Sequence, residues 1–131
     1  MTNPPTPLYQ LAGGEEVLRL VIEDFYDRVF PDAMIGFFFK GLSKSSLVQF
    51  ELEFAMGFLG ADTLYTGRPI REAHAKHPIM GGQFNRRLQI LKETMADHKL
   101  PEAVQAHWIE HTLALRGEIT PNVEGECEPR P

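Results

Sequence analysis

Apolar residues recur at helical spacing through most of this chain, and period-two alternation is almost absent. Residues 14–30, GEEVLRLVIEDFYDRVF, place Val17, Leu18, Val21, Ile22, Phe25, Tyr26 and Val29 on one face. Acidic residues follow Gly14 at once, where a helix N-terminus favours negative charge, and Pro31 stops the run. A short aromatic corner, IGFFFKGLS, comes next. Ser43 then offers an N-cap to a second helix ending near Gly60. Residues 81–99 predict a third helix with Phe84, Leu88, Leu91 and Met95 inward. Residues 101–119 predict a fourth, with Pro101 suited to its first turn and Gly117 to its C-terminal end. Between the second and third helices lie a turn-rich stretch, 61–69, and a stub helix over 69–76. The stub ends before Pro78, because the residue ahead of a proline avoids the helical region. The expectation is an all-α domain of four substantial helices, interrupted by an insert too long for a plain bundle connection.

One residue breaks the pattern of the second helix. Stepping by four and three from Leu47 gives Glu51, Phe54 and Phe58, with Phe50 and Leu59 flanking the stripe. A carboxylate therefore interrupts an apolar face that is expected to point at the core. Arg87, three residues after Phe84 and four before Leu91, also leans toward an apolar face.

Composition narrows the class without naming a chemistry. At 131 residues the chain suits one domain, with residues 1–7 and 120–131 expected to be flexible around a folded region, 8–119. A net charge of -5 argues against a nucleic-acid surface. No apolar run approaches the roughly 20 residues that span a bilayer. The N-terminal MTNPPTPLYQ has no signal-peptide pattern, and the single Cys127 suits a reducing compartment, so a cytoplasmic location is expected. There is no glycine-rich phosphate loop, GxSxG elbow, HExxH pair or carboxylate cluster. His98, His107 and His111 fall at mostly polar helix positions and read as surface residues. His74, on the stub, is the better ligand candidate, with His77 a rim residue. The aromatic set of Phe25, Tyr26, Phe37, Phe38, Phe39, Phe50, Phe54, Phe58 and Phe84 is large for so small a core. It fits either ordinary packing or a slot for a flat apolar cofactor closed by one imidazole, as haem iron takes a proximal histidine.

The runs LYQLAGGEEVLRLVIEDFYDRVFPDAMIGFFFKGLS and LGADTLYTGRPIREAHAKHPI resemble the truncated haemoglobins, the short two-over-two globins. The resemblance covers residues 8 to 119. It implies a truncated globin fold, a two-over-two helical sandwich around a haem, with haem b (iron protoporphyrin IX) as cofactor. It makes His74 the proximal iron ligand, Phe39 the corner phenylalanine against the porphyrin and Tyr26 the distal hydrogen-bond donor. Leu47, Phe50, Phe54, Ile79 and Phe84 match pocket-lining positions, and Tyr65 and Arg68 fall where polar groups reach a propionate. Aligned without gaps, Glu51 stands where relatives often carry Gln, and Arg87 where they often carry Trp or Val.

Two charges arriving at one pocket compensate each other, whereas either alone would cost several kcal/mol to bury. The expectation is a distal Glu51–Arg87 pair beside Tyr26. The alternative sends Glu51 to the rim and Arg87 to a propionate. By resemblance the protein binds O2 reversibly, along with NO and CO, in oxygen binding or transport, or oxidises NO with help from a reductase partner. A second reading is a peroxidase-like enzyme using Glu51 and Arg87 on H2O2, in a pocket that also admits anions. A third is a haem-free globin-like interaction domain. Neither a nucleic-acid nor a membrane partner is expected.

Overall fold

The computed structural model describes residues 6–61 and 81–116, and every described element is helical. A four-residue helix, α1 (Leu8–Leu11), opens the chain, and α2 (Gly14–Val29) follows. After α2 a 3₁₀ turn (Gly36–Phe39) forms the aromatic corner, and α3 (Lys44–Phe58) leaves it. The last two helices are α4 (Gly81–Asp97) and α5 (Glu102–Ala114). The stub expected over 69–76 lies outside the described residues, as do His77, Gly117 and the terminal segments 1–5 and 117–131.

The long helices fall where the apolar spacing puts them, within a few residues at their ends. Helix α2 buries Leu18, Val21, Ile22, Phe25, Tyr26 and Val29, and Val17 is half-buried beside them. Each aliphatic or aromatic side chain so removed from water contributes about 1.5–3 kcal/mol. Helix α2 packs against both α3 and α4, while α5 closes the other side against α4, α3 and α1. Trp108 of α5, 2% exposed, fills the centre with Phe25, Leu52, Met95 and Val104. Among the described residues Thr94 and Thr112 are the buried polar ones, and each hydroxyl donates to a carbonyl one turn back (Ile90 at 2.7 Å, Trp108 at 2.9 Å). Neither therefore leaves an unpaired group in the core. Among the described residues no helix is long and apolar enough to cross a membrane.

Three local expectations need correcting. Helix α1 is absent from the periodicity reading, because four residues are too few to show a period; the Tyr9 amide joins it to the Leu59 carbonyl at 3.0 Å. Pro101 stands at the N-cap of α5 rather than inside its first turn, with ψ of 144°. The third correction concerns α3. Its core face is Val48, Leu52, Ala55 and Met56, continued by Leu59, and not the stripe Leu47–Glu51–Phe54–Phe58. Each stripe residue precedes a buried one by a single position, a rotation of about 100° around the helix. The expected N-cap is observed, with Ser43 Oγ accepting from the Ser46 amide at 3.2 Å.

Candidate functional site

The stripe that α3 turns away from the core is the more informative one. Leu47, Glu51, Phe54 and Phe58 are all half-buried, and Phe50 beside them is 37% exposed. Two other helices meet this stripe. From α4, Arg87 Nη2 donates to Glu51 Oε1 at 3.4 Å, with both side chains less than one-fifth exposed. From α5, the His111 ring stacks on Phe58 at 4.1 Å and stands edge-on to Phe54 at 5.4 Å. His107, one turn earlier, donates from Nε2 to the Phe58 carbonyl at 2.9 Å. Trp108 meets Phe58 from the core side at 6.0 Å.

Glu51 and Arg87 are therefore paired with each other, each less than one-fifth exposed. The Arg87 guanidinium also lies over the Phe25 ring, 4.9 Å from its centroid, where the ring quadrupole favours a cation. One long contact to the carboxylate leaves most guanidinium N–H groups uncommitted to Glu51. A short two-pronged pair would have used them.

The aromatic corner holds the second part of the site. Tyr26 is 6% exposed, and its ring stands edge-on to Phe25, Phe30 and Phe39 at 5.2, 6.2 and 6.0 Å. Phe30 and Phe39 are 5.5 Å apart, so Phe39 is gripped from two sides. Phe84 is fully buried in a separate small cluster with Phe38 and Leu115, and Arg116 lies 5.2 Å over its ring. This cluster sits apart from the main core, which Phe84 would have been expected to join on periodicity alone. Among the sequence-predicted site residues, Tyr26, Phe39, Leu47, Phe50, Glu51, Phe54, Phe84 and Arg87 are described. His74, Tyr65, Arg68 and Ile79 fall outside the described residues.

A single carboxylate builds the corner. Asp32 Oδ2 accepts from the amides of Met34 and Ile35 at 3.0 and 3.1 Å, turning the chain after α2. Its Oδ1 accepts from Arg86 Nε and Nη2 at 3.0 and 2.7 Å, which fastens the corner to α4. Arg86 above all holds the Asp32 carboxyl below its ordinary range, with the two amides assisting and burial opposing. Gly36 lets the corner close: a Cβ there would lie 2.3 Å from the Phe30 carbonyl oxygen. Arg86 and Arg87 are neighbours on α4, one tied to the corner and the other to α3.

Sequence reading missed the histidines of α5 and the partner of Asp24. His98, in the turn after α4, and His107 and His111 of α5 are all half-buried rather than free on the surface. His98 donates from Nε2 to Asp24 Oδ2 at 2.8 Å, and Arg28 bridges Asp24 and Asp97. Burial raises the Asp24 pKa, but the bonds from Arg28 and His98 outweigh it and the net direction is down. His111 Nδ1 and Arg116 Nε are buried without a hydrogen-bond partner. Burial, then the neighbouring His107, lowers the His111 pKa from its ordinary value. The available signal was spacing: His111 lies three residues after Trp108 and four before Leu115, on a line of apolar positions.

Comparison with known proteins adds to this geometry. Residues 7–120 match the family model described as bacterial-like globin. The chain is 28% identical over 119 residues to the group 1 truncated hemoglobin GlbN of Mycolicibacterium paratuberculosis, covering 91% of this chain and 85% of that one. It is 27% identical over 113 residues to the group 1 truncated hemoglobin of Tetrahymena pyriformis, covering 84% and 93%. The crystal structure of the Tetrahymena pyriformis protein in its Fe(III) form superposes with a TM-score of 0.81 at 22% identity, covering 88% of this chain and 98% of that one.

Proposed function

The chain belongs to the bacterial-like globin family, and from that premise we propose that it is a haem protein that binds O2 and other small ligands reversibly. The fold is that of the two-over-two truncated hemoglobins. The observation that carries the proposal is the half-buried stripe of α3, apolar except for one paired carboxylate, together with the aromatic corner that grips Phe39. A flat, largely apolar group against Leu47, Phe50, Phe54 and Phe39 would remove from water apolar area that the helices themselves leave partly exposed. The His111 ring, which meets Phe54 and Phe58 of the same stripe, carries a buried nitrogen without a hydrogen-bond partner. The described residues fit haem on these grounds.

Haem, when bound, supplies an iron at which a small ligand can be held and released. His74 would be its protein ligand, with Tyr65, Arg68 and Ile79 around the same segment. The work of the described residues is distinct. Tyr26 brings a hydroxyl donor suited to a polar diatomic ligand. Phe39, Leu47, Phe50 and Phe54 would lie against such a group and keep water from it, while Phe84 packs with Phe38 and Leu115 in its own cluster. Glu51 and Arg87 give this pocket a charge pair of zero net charge. NO oxidation to nitrate is a finer form of the same reading, and it requires a partner that returns the iron to the ferrous state.

A second reading, peroxide chemistry, draws support from the 3.4 Å pair, because a carboxylate beside a guanidinium can both accept a proton and stabilise the charge that develops. The test starts with the purified protein. A Soret band, lost in His74→Ala, and a spectrum that cycles between deoxy and oxy forms on changing O2 are the expected results. No Soret band after incubation with hemin would overturn the haem reading. Turnover of H2O2 with a dye substrate well above a myoglobin control would select the second reading.

A further inference from the structure

We propose that the Glu51–Arg87 pair makes this pocket selective for weak acids HX, which enter neutral and are held as X⁻. This rests on the haem reading above and names the ligand class of the same site. The argument begins with the cost of charge. An anion entering a half-buried pocket alone gives up its hydration, and a carboxylate already there repels it. A neutral HX meets neither barrier on entry.

Glu51 then offers the acceptor for the proton. The H–X bond breaks, its electron pair stays on X, the proton goes to a Glu51 carboxylate oxygen and X⁻ remains to bind at the cofactor. Nothing is oxidised or reduced, and the charge of the pocket is unchanged. Negative charge has moved from Glu51 to X⁻, and Arg87, beside Glu51, would stabilise it in its new place. The geometry suits that exchange of partners. Arg87 meets Glu51 through one contact of 3.4 Å, so little is lost when the carboxylate becomes neutral. Its guanidinium is held independently over the Phe25 ring at 4.9 Å, so it does not depend on Glu51 for its position. Among the described residues, Arg87 is the one charged group in an ion pair with Glu51. The neighbouring carboxylate Glu53 accepts from Gln49 at 3.0 Å, and Lys44 is paired with Asp27 across to α2.

The experiment uses the haem-loaded protein, with cyanide, azide and carbon monoxide as probes near pH 7. Cyanide there is mostly the undissociated acid, azide is mostly the anion, and carbon monoxide has no proton to give. Glu51→Gln is expected to slow cyanide association to the ferric protein by about 100-fold, the ordinary contribution of a placed proton acceptor. The same change should leave carbon monoxide association to the ferrous protein within about threefold and leave azide equal or faster. Glu51→Asp should restore part of the cyanide rate. Arg87→Leu should speed dissociation of both anions by about 100-fold, as loss of one charge-stabilising donor does elsewhere. Infrared difference spectra on cyanide binding should show a carboxylic-acid C=O band in the wild type that is missing in Glu51→Gln.

Cyanide rates that are unchanged in Glu51→Gln, or that fall together with those of carbon monoxide, overturn the proposal while leaving the haem reading intact. So does an infrared spectrum without the acid band. Failure of the wild type to take up haem overturns both. If Glu51→Gln alone does not retain haem, the comparison passes to Glu51→Ala, where an unchanged cyanide rate or a persisting acid band overturns the proposal.

Discussion

Replacing His111 by Phe isolates a single buried nitrogen. The imidazole lies nearly parallel to Phe58, at 18° and 4.1 Å, with Phe54 edge-on at 5.4 Å. Such ring pairs contribute about 0.5–1.5 kcal/mol beyond the area they bury, and phenylalanine keeps them. The substitution removes Nδ1, which is buried without a partner and carries a desolvation cost of about 1–3 kcal/mol. The added ring bulk takes back about 1 kcal/mol through local overpacking. A net gain of about 0–2 kcal/mol at pH 7.5 is expected, which raises Tm by up to roughly 8 °C in a chain of this size. The pH dependence gives a second, sharper signature. Burial and then His107 lower the His111 pKa, so the unfolded chain binds a proton that the folded chain resists. Wild-type stability therefore falls as pH drops below about 6.5, the unfolded value, and stops falling from this source only below the folded value. The ring's partial exposure damps the size of that slope. Urea unfolding at pH 7.5 and pH 5.5 reads both effects. The advantage of His111→Phe should widen on acidification; an advantage that stays constant or shrinks would refute the account of a neutral, unpartnered imidazole.

Gly36→Ala places a Cβ 2.3 Å from a backbone carbonyl that has no freedom to withdraw, and should cost about 2–4 kcal/mol in urea unfolding. A loss below about 0.5 kcal/mol would mean that the corner is looser than described. Asp32→Asn tests the carboxylate that fastens this corner to Arg86. Its folded pKa is lowered, so its contribution is present above the unfolded value near 3.9 and disappears as pH falls through the folded value. Acid titration followed by circular dichroism should show the wild type's advantage over Asp32→Asn shrinking below about pH 4, and an advantage that persists unchanged to pH 2 would contradict the assignment.

How much of this was legible in the sequence depends on how many faces each helix uses. Helix α2 was read correctly because its apolar residues form one band and its outer positions carry Glu15, Glu16, Glu23 and Asp27. Helix α3 carries two adjacent apolar bands, and spacing alone cannot say which one faces its neighbours. Val48, Leu52, Ala55, Met56 and Leu59 won the core, since smaller and branched side chains let α2 approach closely. The bulkier Phe54 and Phe58 were left, with Leu47, to the second face. Asp32 was invisible for a different reason. Its four bonds join residues 32, 34, 35 and 86, and only folding brings the last of them near.

That division of α3 also accounts for its carboxylate. A charge on the face packed against α2 would have had to be buried among Leu18, Val21 and Ile22, where the described structure offers no cation. One position back around the helix, the same carboxylate meets Arg87 and remains partly open to solvent. The cost of ionisation there is moderate, because the counter-ion is supplied by α4 and held over Phe25 by a contact independent of Glu51. Pairing alone would be served as well by a fully exposed position, at little cost and little gain. A carboxylate kept half-buried, beside an arginine with uncommitted donors and on the band whose other members are Leu47, Phe54 and Phe58, is placed where its charge acts on whatever occupies that band. On the proposal made above, Glu51 and Arg87, more than the fold that this chain shares with other globins, would set the chemistry by which it selects its ligands.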